Sequence, residues 1–455
     1  MENLRDARYV RLEYRNFLPS GSEALDWPRG FLGFRENVHG AEGVVTDISQ
    51  PRLAAKASYL LWLVVRSGEM ESYVVALIVP PLRAPSEWTN FLRQARSIET
   101  RILTPAGAIT GISDTRTAVE VIRCSRAPIL GNRLGPSALL RPKETERYLR
   151  DVDAVVCVET FSSLTHDFVL AARKLGKPSI VVSWETIPKN VVFSLPPYSR
   201  FSRVVRKECS VIVATTRRAA SAHLAIGIPP QKLVQIYPGV ISATNIAQSK
   251  IHKGEFLELL YIGRLYWWKG LFDLICAFSQ LKKSNSSVRL TVAGSGPLLR
   301  RLRRMALKHG DTRILGQVSD QEAIQLRGHS DIFVYPSRIK RTLGLPRWEE
   351  QFGLSVVESM ASGLPCIVTD CGSLPEVVGD AGVVVPQHSP HSLVRAIESL
   401  KSEEERLLLG TRSRNRASAV FDDLQQGQKF EMVIKNALAD SSSRGETQPL
   451  SSVSK

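Results

Sequence analysis

Two doubly wound α/β units, each a parallel sheet flanked by helices and facing the other across a cleft, are predicted for this chain of 455 residues. Three observations predict them. From about Asp151 onward, short apolar runs alternate with helical segments, the pattern of buried parallel strands. A polar stretch at 242–256, SATNIAQSKIHKGEF, interrupts the alternation, which then begins afresh. The length exceeds one ordinary core and suits two.

In chain order, PRLAAKASYLLWLVVRSG reads as a helix, and SYVVALIVPP, ETRILTP and VEVIRC read as strands. DAVVCVE is a short apolar strand, followed by the helical SSLTHDFVLAARKLG, the strand PSIVVSW, the strand SVIVAT, the helical RRAASAHLAIG and the strand KLVQIYP. After the polar stretch come LELLYIG, a helix through LFDLICAFSQL, VRLTVAG, the helix LLRRLRRMALKHG, TRILG, DIFVYPS, the helix opened by FGLSVVESMASG, PCIVTD and GVVVP. A last helix, roughly LQQGQKFEMVIKNAL, precedes a Ser-rich tail. The expected domains are 1–245 and 246–420, a helix at 421–437 that crosses back to the first domain, and a disordered tail at 438–455.

Composition narrows the function. Hydrophobic content of 43% and charged content of 23% fit a soluble globular protein. The apolar runs ASYLLWLVV and YVVALIVPP are too short to cross a bilayer. The opening MENLRDARYVRLEYR lacks the apolar core of a signal peptide. The six cysteines form no CxxC pair, and no His cluster accompanies Cys366 and Cys371. Reduced thiols in a cytoplasmic protein follow. Residues 1–250 carry 33 Lys and Arg against 22 Asp and Glu, a net of +11, and the remainder 27 against 22, a net of +5. This excess favours anionic partners. With RVVRK at Arg203–Lys207, it predicts weak attachment to an anionic membrane surface, and no nucleic-acid-binding motif is present.

The second unit concentrates chemistry. Gly263 gives the first strand a tight exit, and Arg264 and Lys269 flank the following loop, a planar fork of donors and a point charge suited to a diphosphate. AGSGP brings two glycines to the next strand end. In RWEEQFGLSVVESMASGLP, the Phe352-Gly353-Leu354 turn opens a helix whose free N–H groups can bind an anion. Glu358, about one turn in, and Glu350, in the loop before Gly353, can accept hydrogen bonds from sugar hydroxyls. Helix stabilisation explains Glu358 alone reasonably well.

In the first unit, Glu159 and Glu185 end strands, so either could bind acceptor hydroxyls, and a hydrogen-bonded structural acid is about as good a reading. His166, on the following helix, suits packing. Asp151-Val-Asp153 precedes a strand, at the wrong end for the cleft, so no metal site is expected there.

Residues from about 151 to 420 resemble the retaining GT-B glycosyltransferases of family 4. The resemblance is carried by KLVQIYPGV, YIGRLYWWKG, VAGSGPL, ILGQVSD, DIFVYPS, EQFGLSVVESMASGLPCIVTD and GSLPEVVG, in that order. It implies a nucleotide-sugar donor, as substrate rather than cofactor, bound mainly by the second domain. Arg264 and Lys269 would hold the diphosphate, Glu350 the donor sugar and Glu358 the ribose. The N–H groups near Gly353 and Leu354 would help with phosphate, and the loop at Val318 would lie by the base. It implies a metal-independent hexosyltransferase acting on a glycan, lipid-linked or small-molecule acceptor. The chain departs from the family pattern in three places. The N-terminal Gly-Gly loop is not recognisable, with Asn16–Gly21 and Gly40–Gly43 the nearest candidates. Ser183-Trp184-Glu185 stands where many members have a His, and RIKRTLGLPRWE is inserted before Glu350. A nucleotide-sugar-binding protein without transferase activity and a GT-B epimerase are the alternatives. Glu349, after the bulky Trp348, is expected to point away from the sugar, to solvent or a nearby Arg.

Overall fold

The structure is a computed structural model that describes residues 73–78, 97–105, 117–122, 124–126, 140–240, 255–284, 287–307 and 310–445. All belong to one compact unit, Gly68–Lys455. The helix expected at 51–68, the glycine candidates at 16–21 and 40–43, the expected domain boundary at 245 and the end of the tail lie outside the described residues.

The strands of the first sheet are β1 Tyr73–Ile78, β2 Ile98–Pro105, β3 Thr117–Ile122, β6 Ala154–Val158, β7 Ser179–Ser183, β8 Val211–Ala214 and β9 Leu233–Gln235. These seven run parallel, in the order β3-β2-β1-β6-β7-β8-β9. A small antiparallel pair, β4 Cys124–Arg126 and β5 Leu140–Pro142, stands beside it. The central strands read as unbroken apolar runs because both faces are covered. All five residues of β6 and of β7 are buried. The covering helices include the short α1 Thr145–Tyr148, then α2 Ser163–Lys174, α3 Tyr198–Glu208 and α4 Arg217–Ala225. Asp153 Oδ2 accepts from the Val74 N–H at 2.8 Å and so ties the start of β6 to β1.

The strands of the second sheet are β10 Leu257–Ile262, β11 Val288–Ala293, β12 Thr312–Gly316, β13 Ile332–Tyr335, β16 Cys366–Thr369 and β17 Val383–Val385. These six run parallel, in the order β12-β11-β10-β13-β16-β17. Its helices are α5 Leu271–Lys283, α6 Leu299–Ala306, α7 Asp320–Gly328, α8 Leu354–Ala361, α9 Leu374–Val378, α10 Pro390–Ser399 and α11 Glu403–Val420. The strand order reverses between β10 and β13, and the chain ends that meet there carry the candidate site, as expected of doubly wound sheets.

Several elements differ from the sequence expectation, among them a hairpin and two helices. The insertion before Glu350 is a hairpin, β14 Lys340–Thr342 and β15 Leu345–Trp348, whose Leu343-Gly344 turn has φ of 49° and 77°. Left-handed values at both central positions match the turn to the twist of the strands. Residues 403–420 form a full helix that the sequence reading leaves unassigned. The last helix, α12 Asp423–Gly445, runs through residues 438–445, where a disordered tail is expected. Ala437 and Leu438 still pack on the core, which carries the helix past its expected end, and the Ser441 and Ser442 hydroxyls donate back to the Leu438 carbonyl. This helix returns to the first sheet's side, where the Ser97 hydroxyl donates to Glu431.

No described helix is long and apolar enough to cross a membrane. All six cysteines are free, and burial pushes the thiols of Cys157, Cys209, Cys366 and Cys371 up, so they behave as core residues.

The turn into α5 depends on a glycine. Gly270 has φ of 69°, and a Cβ there would lie 1.7 Å from the Pro336 carbonyl oxygen. Gly176 has a similar φ of 67° with nothing within 4 Å. Thermal melts should therefore find Gly176→Ala destabilising by about 1 kcal/mol, the left-handed backbone cost alone, and Gly270→Ala by at least twice as much.

Candidate active site

The site grows from the exit of β10. Gly263 leaves the strand and Arg264 is exposed at the loop. A short 3₁₀ turn, Trp267–Lys269, then folds Lys269 inward, with Gly270 left-handed behind it. Lys269 is 2% exposed. Its Nζ donates to Glu350 Oε2 at 2.6 Å and to the Tyr335 hydroxyl at 2.8 Å. The Ser337 hydroxyl donates to the same Glu350 oxygen at 2.7 Å. Among the described residues no donor is recorded at the other oxygen, Oε1. Of the two cations expected to hold a diphosphate, Arg264 and Lys269, the second is already paired with a carboxylate. Arg264 is exposed, and Lys269, folded inward by the 3₁₀ turn, neutralises the buried Glu350 carboxylate.

The surroundings fix this pair. The Trp348 ring, supplied by the inserted hairpin, lies 4.7 Å from the Lys269 ammonium, and the Tyr335 ring 5.0 Å. Tyr335 stacks on Tyr261, whose hydroxyl donates to the Arg264 carbonyl at 3.0 Å. The Ser373 N–H donates to the Glu350 carbonyl at 2.8 Å, and a Cβ on Gly372 would stand 2.1 Å from that oxygen. Gly353, φ 93°, then opens α8. Leu354 packs partly against the core beyond it.

Glu358, on α8, pairs with the guanidinium of Arg327, a 5%-exposed residue of α7. Burial raises the Glu358 carboxyl pKa and the Arg327 charge offsets part of that rise. Val318 lies in the loop after β12, partly packed on the core, just before Ser319 and Glu322 form a capping box on α7. Phe352 requires a correction. It is 1% exposed and packs among Trp184, Tyr237 and Phe421, so it joins the two sheets rather than facing a ligand.

The neighbouring acid, Glu349, turns to Arg218 of α4, whose Nη2 donates to Oε2 at 2.8 Å. Further bonds bridge the two sheets. Glu376 of α9 accepts from the Arg217 and Arg218 N–H groups at 2.7 and 3.0 Å, a carboxylate on the free start of α4. It also accepts from the Tyr237 hydroxyl at 2.8 Å. Asn190 Nδ2 donates to the Arg347 carbonyl at 3.3 Å. None of Arg218, Arg327, Tyr335, Ser337 or Glu376 is among the sequence-predicted residues.

On the first sheet, Glu159 has φ of 63° and accepts from the Ser183 hydroxyl and the Trp184 N–H, both at 3.1 Å, so it fastens the ends of β6 and β7 together. Glu185 lies beyond β7 and accepts from the Ile187 N–H at 2.8 Å. Burial, and then the Glu159 charge, push its carboxyl up to about 8. His166 lies against Phe201 and Asp167, a packing position. Among the described residues no group of three His, Cys, Asp or Glu is placed to hold a metal ion.

Comparison with known proteins places this geometry. Residues 242–416 match the family described as glycosyl transferases group 1. A glycogen synthase of Mycobacterium tuberculosis is 32% identical over 171 residues, 36% of this chain and 39% of that protein. The gpi3 subunit of a phosphatidylinositol N-acetylglucosaminyltransferase of Schizosaccharomyces pombe is 25% identical over 226 residues, 48% of this chain and 46% of that protein. The chain thus spans less than half of the length of these curated relatives. Among solved structures, Anabaena HepE with UDP and glucose has a TM-score of 0.64 at 16% identity, covering 80% of this chain and all of that one. A glycosyltransferase from Rickettsia africae has the same TM-score at 18% identity, covering 81% and 99%. The chain has the GT-B fold.

Two measurements follow. Arg218 is 47% exposed on its side chain while Glu349 is 2%, so solvent screens their ion pair in part. A double-mutant cycle with Arg218→Ala and Glu349→Gln should give a coupling of about 1–2 kcal/mol in denaturant melts. Glu185 gives a pH signature. Its folded-state pKa is about 8 against an ordinary 4.5, so between those values the folded state holds a proton that the unfolded state has lost. Its stabilising contribution is full below 4.5 and gone above about 8. Wild-type melting temperature should fall across that window, and Glu185→Gln should flatten the fall.

Proposed function

We propose that this protein is a family 4 GT-B hexosyltransferase that moves a sugar from a nucleoside-diphosphate sugar to an acceptor hydroxyl, with retention and without a metal ion. The observation that carries the reading is the state of Glu350. One carboxylate oxygen is held by Lys269 and Ser337, and among the described residues the other has no hydrogen-bond donor. A carboxylate anchored on one oxygen is rigid, and its second oxygen can accept from a donor-sugar hydroxyl. Arg264, exposed at the exit of β10, and the N–H groups at the start of α8 are the groups for the diphosphate. Glu358, held by Arg327, accepts from the ribose, and the loop at Val318 borders the base.

The bond between the sugar's anomeric carbon and the diphosphate oxygen breaks, and its electron pair stays on the leaving phosphate. Arg264 and the α8 N-terminus stabilise that charge. The acceptor oxygen bonds to the anomeric carbon on the face the phosphate leaves. The departing phosphate oxygen lies beside the incoming hydroxyl and takes its proton. Lys269 is a positioning residue here, acting through Glu350.

The experiment incubates the full chain with labelled UDP-glucose, chosen because HepE was crystallised with UDP-glucose, with and without a cell lipid extract, in EDTA. Transfer to an acceptor, with the product anomer retained by NMR, is expected. Epimerised nucleotide sugar, or binding with no turnover, would support the two alternatives instead. Strict loss of activity in EDTA restored by Mg²⁺ or Mn²⁺ would overturn metal independence. Glu350→Gln should lower turnover at least about ten-fold while UDP binding, measured by calorimetry, holds, because Arg264 and α8 are separate from the lost charge.

A further inference from the structure

The first sheet carries a cavity of about 690 Å³ that the transfer reading does not use. It lies among the Glu185–Ser194 loop, α3 and the end of α4. Its cations are unusual. Arg203, Arg206 and Lys189 line it, and among the described residues no acid lies within ion-pair distance of any of them. The two arginines sit close enough that the Arg203 charge, after burial, lowers the Arg206 pKa. Arg206 is half-buried and donates from Nε to the Ser202 carbonyl at 3.0 Å, while Arg203 and Lys189 are exposed, so an anion entering the cavity would meet cations that no described acid already neutralises. Arg203, Arg206 and Lys207 of the basic stretch border this cavity.

A second observation is independent of these charges. His223 lines the same cavity, is 1% exposed, and has no hydrogen-bond partner at either ring nitrogen. A buried polar group without a partner is costly and calls for one. Burial and the nearby Arg206 push His223 down to about 4, so at neutral pH it is uncharged and donates from one nitrogen. The lining also holds an apolar pair, Phe161 stacked on Phe193. Glu185 also lines the cavity, and its neighbour Asn190 touches the Arg347 carbonyl near the donor side.

We infer that this cavity binds a phosphate-bearing acceptor, the phosphate held by Arg203, Arg206 and Lys189 with an N–H from His223, and the attached apolar portion against Phe161 and Phe193. The inference rests on the transferase reading only in calling the ligand an acceptor. A free phosphate ester and a phospholipid headgroup share this chemistry.

Calorimetry with the full chain tests it, using hexyl phosphate, hexanol and, separately, UDP. Hexyl phosphate should bind at least ten-fold more tightly than hexanol. Arg203→Gln/Arg206→Gln should weaken hexyl phosphate at least ten-fold and leave UDP binding within two-fold. On wild-type protein, ¹⁵N-histidine spectra should show the His223 ring shifting with hexyl phosphate and not with hexanol, a readout that needs no cavity variant to fold. Phosphatidylcholine vesicles with and without phosphatidic acid separate the sources. Sedimentation with phosphatidic acid, competed by hexyl phosphate, assigns a headgroup, and hexyl phosphate binding without sedimentation assigns a free ester. Equal affinity for hexyl phosphate and hexanol, or an unmoved His223 ring, overturns the inference. Either result with UDP still bound leaves the transferase reading standing, and loss of UDP binding alone strikes that reading and not this one.

Discussion

Everything around the cleft depends on how Glu349 and Glu350 leave β15. In extended chain, successive side chains point to opposite sides. Two neighbouring carboxylates therefore reach opposite halves of the molecule, Glu350 to Lys269 beneath the second sheet's strand ends and Glu349 to Arg218 of the first. A slip by one residue that brought Glu350 to Arg218 would set Gln351 against Lys269 and leave a buried ammonium without its carboxylate. Gly372 and Ser373 guard against the slip, since only a glycine fits against the Glu350 carbonyl and the next N–H bonds to it. The hairpin before them is part of the same device, because its Trp348 covers Lys269 and its Arg347 carbonyl receives Asn190.

The buried pair is not a simple source of stability. Removing two charges from water costs several kcal/mol per ion, and attraction between them only offsets that when the geometry is good and other donors help. Ser337 is such a donor to the carboxylate, and the Tyr335 hydroxyl accepts from the ammonium. What the arrangement secures is the orientation of the Glu350 carboxylate, held at Oε2 by two donors. The same logic governs Glu358, where buried Arg327 fixes one oxygen from another helix.

The parallel sheets were legible in the sequence because runs such as AVVCV and SIVVS are short, rich in β-branched residues and buried throughout. Glu350, Glu358 and the Gly353 turn were legible because they lie in one short stretch. Their partners were not. Arg218 lies 131 residues from Glu349, and no local pattern joins them. Phe352 misled because adjacency to a loop ligand says nothing of which way a ring turns. The hairpin was obscured by a Leu at a left-handed position, a residue that turn chemistry disfavours. The helix α11 hid because its charges are spread around its circumference, so it shows no apolar stripe, although Gly410 and Ala417 are buried at helical spacing.

The chain crosses between the two sheets' territories at Val240 and again at Phe421, and the crossings touch. The Val240 N–H donates to the Phe421 carbonyl at 2.9 Å, Val240 bridges Asp422 in parallel, and Gly239 lies so close that a Cβ would stand 2.6 Å from the Asp423 Cα. Two strands of backbone laid side by side resist twisting far better than one. Any swing of the halves that kept this seam whole would turn about it as about a pin, with one principal degree of freedom. Sliding and torsion would be resisted, so the lever arm from the pin to the Glu349–Arg218 contact would set how wide the mouth opens for a given turn.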